Sequence, residues 1–364
     1  MASVDGLYSP PAVEGSYMMD PNLAKGFAVD ERSLIKGIRA YQNAARWRSI
    51  WQLVNSIGPY LALWALAWWA LQFSFWLSLP FTVLAAGFSI RIFIIFHDCG
   101  HSSFFASKRA NHFWGVVTGI LTFTPFYYWT RQHSLHHATS GNLDKRGYGD
   151  IWTLTVEEYR QASRLTRLKY RLYRNPFVLL ILGPIFLLLI VHRFARGEAT
   201  VKDRMSVYGT NLGLALVIWG MIELIGLNAY LLIQLPILLI ALASGVWLFY
   251  VQHQFEDVYW TRQDSWDILS TAVHGSSFYK LPAVLNWFTG NIGYHHVHHA
   301  NPRVPNYYLS RCHRQIPALQ TIEPIGFWRS LQSLTFRLYD ERRNKLVGFR
   351  QLKTYYPTLE ADQV

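Results

Sequence analysis

Residues 75–101 read FWLSLPFTVLAAGFSIRIFIIFHDCGH. This stretch decides the fold because it joins two signals in one segment. Between Phe75 and Phe96 the only charged side chain is Arg91, and the run has about the twenty residues that a helix needs to cross the hydrocarbon layer. It then passes directly into His97-Asp98-Cys99-Gly100-His101. Histidines at i and i+4 share one helix face, so a span ends by presenting two imidazoles at the membrane surface. Arg91 lies near that end, where its long stem can snorkel to the interface.

Upstream, a second apolar run covers Val54 to Gln72, separated from Phe75 by two residues; the two runs predict a tight transmembrane hairpin. Downstream, Val207 to Leu227 and Ala229 to Val251 predict another. Two shorter runs, Phe113–Trp129 and Phe177–Val191 (broken by Gly183 and Pro184), are expected to lie as helices at the interface. Four spans result, or six if both short runs cross. Arg46, Arg48, Lys108, Arg109, Arg131, Lys145, Arg146 and every basic residue from Arg164 to Arg204 fall outside the hairpins, while the hairpin tips near Ser74 and Asn228 carry no charge. By the positive-inside asymmetry, both hairpins enter from the cytosol and return to it.

The composition agrees. The chain has 364 residues, 51% hydrophobic and 16% aromatic, with a net charge of +12. Blocked apolar residues turn that charge away from nucleic acid and toward a basic membrane face. Two cysteines, Cys99 and Cys312, cannot hold an iron–sulfur cluster alone or frame a disulfide scaffold. The first forty residues lack a basic segment followed by an apolar run, which predicts no cleavable signal peptide and a poorly ordered cytosolic lead-in. The expected organisation is a cytosolic segment 1–49, a membrane domain 50–310 and a cytosolic segment 311–364. The fold class is all-α integral membrane, with interfacial helices and a cytosolic histidine-rich cap.

Fourteen histidines are present, most of them clustered. Beyond His97 and His101 come His133-Ser134-Leu135-His136-His137 and His295-His296-Val297-His298-His299. His133, His136 and His137 share a helix face, as do His295, His298 and His299; His296 points elsewhere. All three clusters fall on the cytosolic side, which charge alone had set. Eight convergent imidazoles exceed the needs of one metal and argue for two; imidazole without thiolate suits iron, copper, zinc or nickel. His253, just past the fourth run, sits at the same depth and is a ninth candidate. Metal-bound histidines usually pass their other N–H to a carboxylate or carbonyl. Asp98, Asp144, Asp150, Glu256 and Asp257 are the nearby acids, and His296 is expected beside the ligands rather than among them. His112, His192, His274 and His313 read as ordinary surface or interfacial histidines.

At these residues the chain resembles the membrane fatty acid desaturases, which carry three histidine boxes. His97–His101 matches the first box, His133–His137 the second and His295–His299 the third. The strings HDCGHSSFFASKRAN, HSLHHATSGNLDKRGYGDIWT, YRLYRNPF, WLFYVQHQFED and YKLPAVLNWFTGNIGYHHVHHANPRVPNY look closest to bacterial acyl-lipid desaturases of the cold-induced Δ5 type. The resemblance implies two irons at the cytosolic face, held by the eight box histidines and a ninth that His253 fits. It implies dioxygen as co-substrate and a cis double bond in a glycerolipid acyl chain. Its electron donor would be a separate protein, ferredoxin or flavodoxin, or else cytochrome b5; no haem-binding H-P-G-G segment is present. In animal acyl-CoA relatives an asparagine four residues before the extra histidine contributes through a water. Phe249 stands there in this chain, and Asn291, four residues before His295, is a substitute candidate.

Box residues alone separate a desaturase poorly from hydroxylases, ketolases and alkane oxygenases of the same superfamily, or a Δ5 from an ω-6 (Δ12) enzyme. A metal transporter would place its ionisable residues at mid-bilayer, and a bis-histidine cytochrome would pair histidines across the bundle rather than in triads on single helices. The bacterial inner membrane, with the site facing the cytoplasm, is the expected location.

Overall fold

The computed structural model describes residues 31–147 and 149–356. Two long helical hairpins form its frame. The first joins α2 (Arg46–Leu71) to α3 (Phe75–Gly100), after a short α1 (Glu31–Arg39). Ser74 caps α3 by accepting from the Trp76 amide at 3.2 Å. After α4 (Lys108–Leu121), α5 (Phe126–Thr139), α6 (Val156–Gln161), α7 (Arg164–Tyr173) and a mixed π- and α-helical stretch, Val178–Val191, whose middle turn is α8 (Gly183–Phe186), the second hairpin joins α9 (Val201–Ile225) to α10 (Leu227–His253). Gly226, at φ +85°, is its whole link.

Among the described residues, three helices are long and apolar enough to cross a membrane: α3, α9 and α10. The bent pair of α7 and Val178–Val191, at 67°, would make a fourth if it were one span. α2 has the same length as α3, but tryptophans and buried polar groups such as Gln52 and Ser56 dilute its apolar character. It packs with α3 and α10 into one core: Tyr60, Trp64 and Ala67 meet Ala85, Ala86, Ile92, Tyr230, Ile233 and Ile237. Fully buried alanines let the backbones approach closely, as membrane helix pairs favour. Trp64 Nε1 donates to Gln234 Oε1 at 3.0 Å, so neither polar group is left unpaired in that core. Outside, Trp69, Trp76, Leu77, Leu212 and Leu216 are exposed, as a lipid-facing surface requires.

Three expectations need correction. The run Phe113–Trp129 is not one helix. It breaks at Thr122–Pro125, with Phe123 at φ +59°, and its second half becomes α5. Residues 31–39 of the expected unstructured lead-in form α1, whose Leu34 and Ile38 are buried with Leu309 and Cys312; residues 1–30 lie outside the described residues. Arg91 does not snorkel: it is buried under Trp287, with its guanidinium 3.9 Å from the ring centre and donating to the Trp287 carbonyl.

The remaining elements close over one end of the frame: α11 (Ile268–His274), β1 (Phe278–Lys280), α12 (Ala283–Phe288), α13 (His295–Ala300), α14 (Asn306–Gln315), β2 (Pro324–Gly326), α15 (Phe327–Ser330), β3 (Leu338–Asp340), β4 (Lys345–Val347) and α16 (Phe349–Tyr355). Among the described residues the strands make two small ladders, β1–β2 parallel and β3–β4 antiparallel. Both hairpin tips lie at the opposite end from His97 and His253, so α3 and α10 deliver their histidines to the same side.

The turn between α4 and α5 sets where the second histidine triad begins. There the Thr124 amide donates to the Gly119 carbonyl at 2.7 Å, and a Cβ on Gly119 would sit 2.6 Å from the Thr124 carbonyl. Backbone cannot yield as a side-chain tip does. Gly119→Ala is expected to destabilise the protein by about 1–3 kcal/mol, read as a lowered melting temperature in detergent.

Candidate metal centre

Four segments bring the histidines together. His97 lies in the last turn of α3, and His101 ends that helix. α5 supplies His133, His136 and His137; α10 ends on His253; α13 supplies His295, His298 and His299. The i, i+3, i+4 spacing puts each triad on one helix face, as expected from sequence.

Two groups result. His97, His101, His133, His137 and His298 each offer a ring nitrogen, all within 4.8 Å of one another. His136, His253 and His299 form the second group within the same limit. His295 joins its edge, with Nε2 2.9 Å from His253 Nε2. His298 Nε2 is 3.0 Å from His137 Nε2, and His136 Nε2 is 3.2 Å from His253 Nε2. The His137 and His299 rings stack at 4.1 Å and link the two groups.

Nitrogens this close, with mainly one another to face, fit a cation. His101 Nε2 and His299 Nε2 have no protein partner although both atoms are buried. Unpaired buried polar atoms are rare and unfavourable. Burial, reinforced by neighbouring histidines, holds His295, His298 and His299 well below the usual imidazole range. They are therefore neutral near pH 7, with lone pairs free to ligate. Cys99 is buried but stands outside both groups, so the donor set is imidazole alone.

Carboxylates orient two of the rings. Asp98 Oδ1 lies 3.0 Å from His97 Nδ1. Its Oδ2 accepts from the Asn306 amide at 2.7 Å and from Asn306 Nδ2 at 2.8 Å, and Gln52 of α2 donates to Asn306 Oδ1 at 2.9 Å. Asp150 Oδ1 lies 2.5 Å from His136 Nδ1. Each acid fixes the tautomer that turns Nε2 inward.

The other candidates stand elsewhere. Glu256 pairs with Lys345 at 3.3 Å, and Asp144 accepts from Arg262 at 2.7 Å. Asp257 and Glu256 line a cavity of about 230 Å³ behind β2. Asn291, at φ +60°, bonds to Asn286 and to the Asn306 carbonyl, so its side chain braces the start of α14. His296 points away as expected, with Nε2 3.0 Å from His313 Nδ1. His313 and His192 are buried, contrary to the surface or interfacial reading, while His274 is exposed and His112 half-buried. Phe249 fills the position of the absent asparagine, its ring 5.2 Å from that of His136 and 5.1 Å from that of His253.

Sequence reasoning missed Asn306, Trp129 and Arg174. Trp129 stacks on His133 at 4.4 Å. Arg174 is 1% exposed and has no carboxylate partner among the described residues. Its guanidinium donates to Thr153 Oγ1, to Gln254 Oε1 beside His253, to the Tyr250 hydroxyl and to the Phe336 carbonyl, at 2.9–3.2 Å. One side chain thus ties the loop after Asp150 to the end of α10. Within a run of basic residues it reads as solvent-facing; only the i, i+4 spacing from the buried Tyr170 hinted otherwise.

The fatty acid desaturase family model matches residues 74–328. A fatty acid desaturase of Bacillus subtilis is 50% identical over 332 residues, covering 91% of this chain and 94% of its own. The chain belongs to the fatty acid desaturase family. The desaturase is also 25% identical to an sn-1 oleoyl-lipid 12-desaturase of Synechocystis sp. (65% of this chain, 68% of that one). It is 26% identical to an sn-1 acyl-lipid omega-3 desaturase (ferredoxin) of the same organism (64% of each). It is accordingly a membrane oxidoreductase that acts on acyl chains, and its histidine groups are able to hold metal.

Two substitutions test the supports of the centre. Asp150→Asn is expected to weaken metal retention about 10–100-fold, measured by metal content after dialysis against a graded chelator series. Arg174→Met strands several buried partners and is expected to lower stability by about 2–5 kcal/mol, seen in thermal unfolding in detergent.

Proposed function

We propose that the desaturase holds two iron ions and uses dioxygen to place a cis double bond in the acyl chain of a membrane glycerolipid. His97, His101, His133, His137 and His298 would hold one iron, and His136, His253, His295 and His299 the other. The observation that carries this reading is the division of the convergent histidines into two adjacent groups. When bound, the iron pair with dioxygen supplies hydrogen abstraction from unactivated methylenes, which no side-chain acid or base can perform. Overall, two hydrogens leave neighbouring carbons and dioxygen leaves as two waters, with two electrons and two further protons supplied.

The chain's own residues perform the rest. Asp98 and Asp150 hold the His97 and His136 rings with Nδ1 outward and Nε2 toward the centre. Phe249 and Trp129 lie against the rings and exclude water from that side. α3 and α10 place the site at the end of lipid-facing spans, within reach of a lipid-borne chain. The acyl-lipid reading of the substrate draws support from the names of the Synechocystis relatives, one of which also names ferredoxin. A ferredoxin or flavodoxin, being acidic, suits the basic face. The charge asymmetry supports a site facing the cytoplasm from the inner membrane. The catalytic unit is residues 50–310, flanked by 1–49 and 311–364, and the Δ5 position follows the string resemblance.

Gas chromatography–mass spectrometry of fatty acid methyl esters tests the reading in host cells expressing wild type, His136→Ala or His298→Ala. A new cis-unsaturated species is expected with wild type alone, its position fixed by derivatisation. Full activity in stably inserted histidine variants would sink the metal assignment, and a hydroxy or keto acid would move the enzyme to the hydroxylase branch. Purified wild type is expected to carry two irons per chain, and His298→Ala fewer.

A further inference from the structure

β1 and β2 run parallel, with Lys280 opposite Gly326. Each strand leaves the ladder at the same end into a short helix, β1 through Leu281 and Pro282 into α12, and β2 directly into α15. The ladder is wedged between the spans. Tyr279, Leu281 and Ile325 pack with Trp247, Leu248 and Val251 of α10 and with Ile90 of α3. The Tyr279 hydroxyl meets Ser330 Oγ of α15 at 3.1 Å.

Depth follows from helix rise. At 1.5 Å per residue, Leu248 and Ile90 lie roughly 8–10 Å on the bilayer side of His253 and His97. α12 reaches deeper, with Trp287 and Phe288 edge-on to Phe88 of α3 at 5.7 and 5.2 Å. The spans, at 26 and 27 residues, are longer than the hydrocarbon layer requires. The ladder therefore sits near the boundary between headgroups and acyl chains.

At that depth both helices turn large apolar side chains outward. Val284 is 67% exposed and Trp328 79%, and Leu285, Trp287, Phe327 and Leu331 are exposed beside them. Lys280 and Arg329 are exposed at the base of the two helices. Exposed aromatics flanked by basic residues are the composition of a membrane interface, and an apolar patch of this kind facing water would be unfavourable. The patch also continues the outer surface of α3, where Val83 and Leu84 are exposed about one turn from Phe88.

We propose that α12 and α15 form a single ledge that dips into the bilayer beside α3 and α10, with Trp287 and Trp328 among the acyl chains and Lys280 and Arg329 at the lipid phosphates. Part of the segment 311–364, expected from sequence to be water-facing, is then a membrane-contacting element on the histidine side of the bilayer. This goes beyond the proposed reaction and does not rest on it; a lipid-seated ledge is compatible with any product of the centre.

The test is site-directed spin labelling of the full chain in phosphatidylcholine–phosphatidylglycerol vesicles. Cys99 and Cys312 are buried and do not compete for label. Labels at Trp328→Cys and at Val284→Cys are expected to relax faster with oxygen than with a water-soluble nickel chelate. A label at Lys145→Cys, on an exposed loop, is expected to do the reverse. The two ledge positions serve as independent reporters, so misfolding of one variant leaves the other. Chelate-dominated relaxation at both ledge positions overturns the proposal. So does dipolar broadening that unlabelled protein abolishes, because the patch would then be covered by a second copy.

Discussion

Nine imidazoles held with their nitrogens turned on one another form a constraint that the rest of the structure serves. Such an arrangement is unfavourable unless the rings are neutral and a cation takes their lone pairs. Burial keeps His295, His298 and His299 neutral. It can do so only because rigid elements hold the rings in place. α3 and α10 start from opposite hairpins and end on the same side, and α5 and α13 lie across their ends. No single helix face could present more than three of these rings.

The two groups are supported differently. The first is braced from inside the bundle, along a hydrogen-bonded line from Gln52 through Asn306 and Asp98 to His97. His101, His133 and His137 form its more open wall. All four members of the second group, His295 included, are buried. Its supports come from further along the chain: Asp150 on the loop after α5, and Arg174, which reaches from the end of α7 to Gln254 beside His253. An unpaired buried cation is costly, so Arg174 must satisfy several acceptors at once, and it does so only when those segments converge.

Much of this was legible in the sequence. Both hairpins appear where the apolar runs lie, displaced by a few residues: Val207–Leu227 became Val201–Ile225, and Ala229–Val251 became Leu227–His253. The triads converge because their spacing is local, and a local period survives folding. Asp98 and Asp150 were found because they lie within or just after a box. What stayed hidden depends on distant pairing. Nothing near Asn306 points to Asp98, more than two hundred residues away, and nothing near Glu256 reveals that Lys345 claims it. The run Phe113–Trp129 looked continuous by hydropathy; Pro125 marks its break, and the positive φ at Phe123 turns the chain there.

Arg91 shows why hydropathy alone misreads a charge in a span. Read by composition, its guanidinium should reach for water. Instead Trp287 lies over it, and its carbonyl accepts from the guanidinium. A cation on an aromatic face that also donates to a carbonyl is held in a low-dielectric place more readily than a bare charge, even with its Nε unpartnered. The same tryptophan meets Phe88 edge-on and so holds α12 against α3. The charge that looked like a flaw in the span is thus what fixes a lipid-depth helix to its side. That helix is followed within a few residues by Asn291 and the third histidine triad, so the membrane-facing and metal-facing parts of this segment are set by one set of contacts.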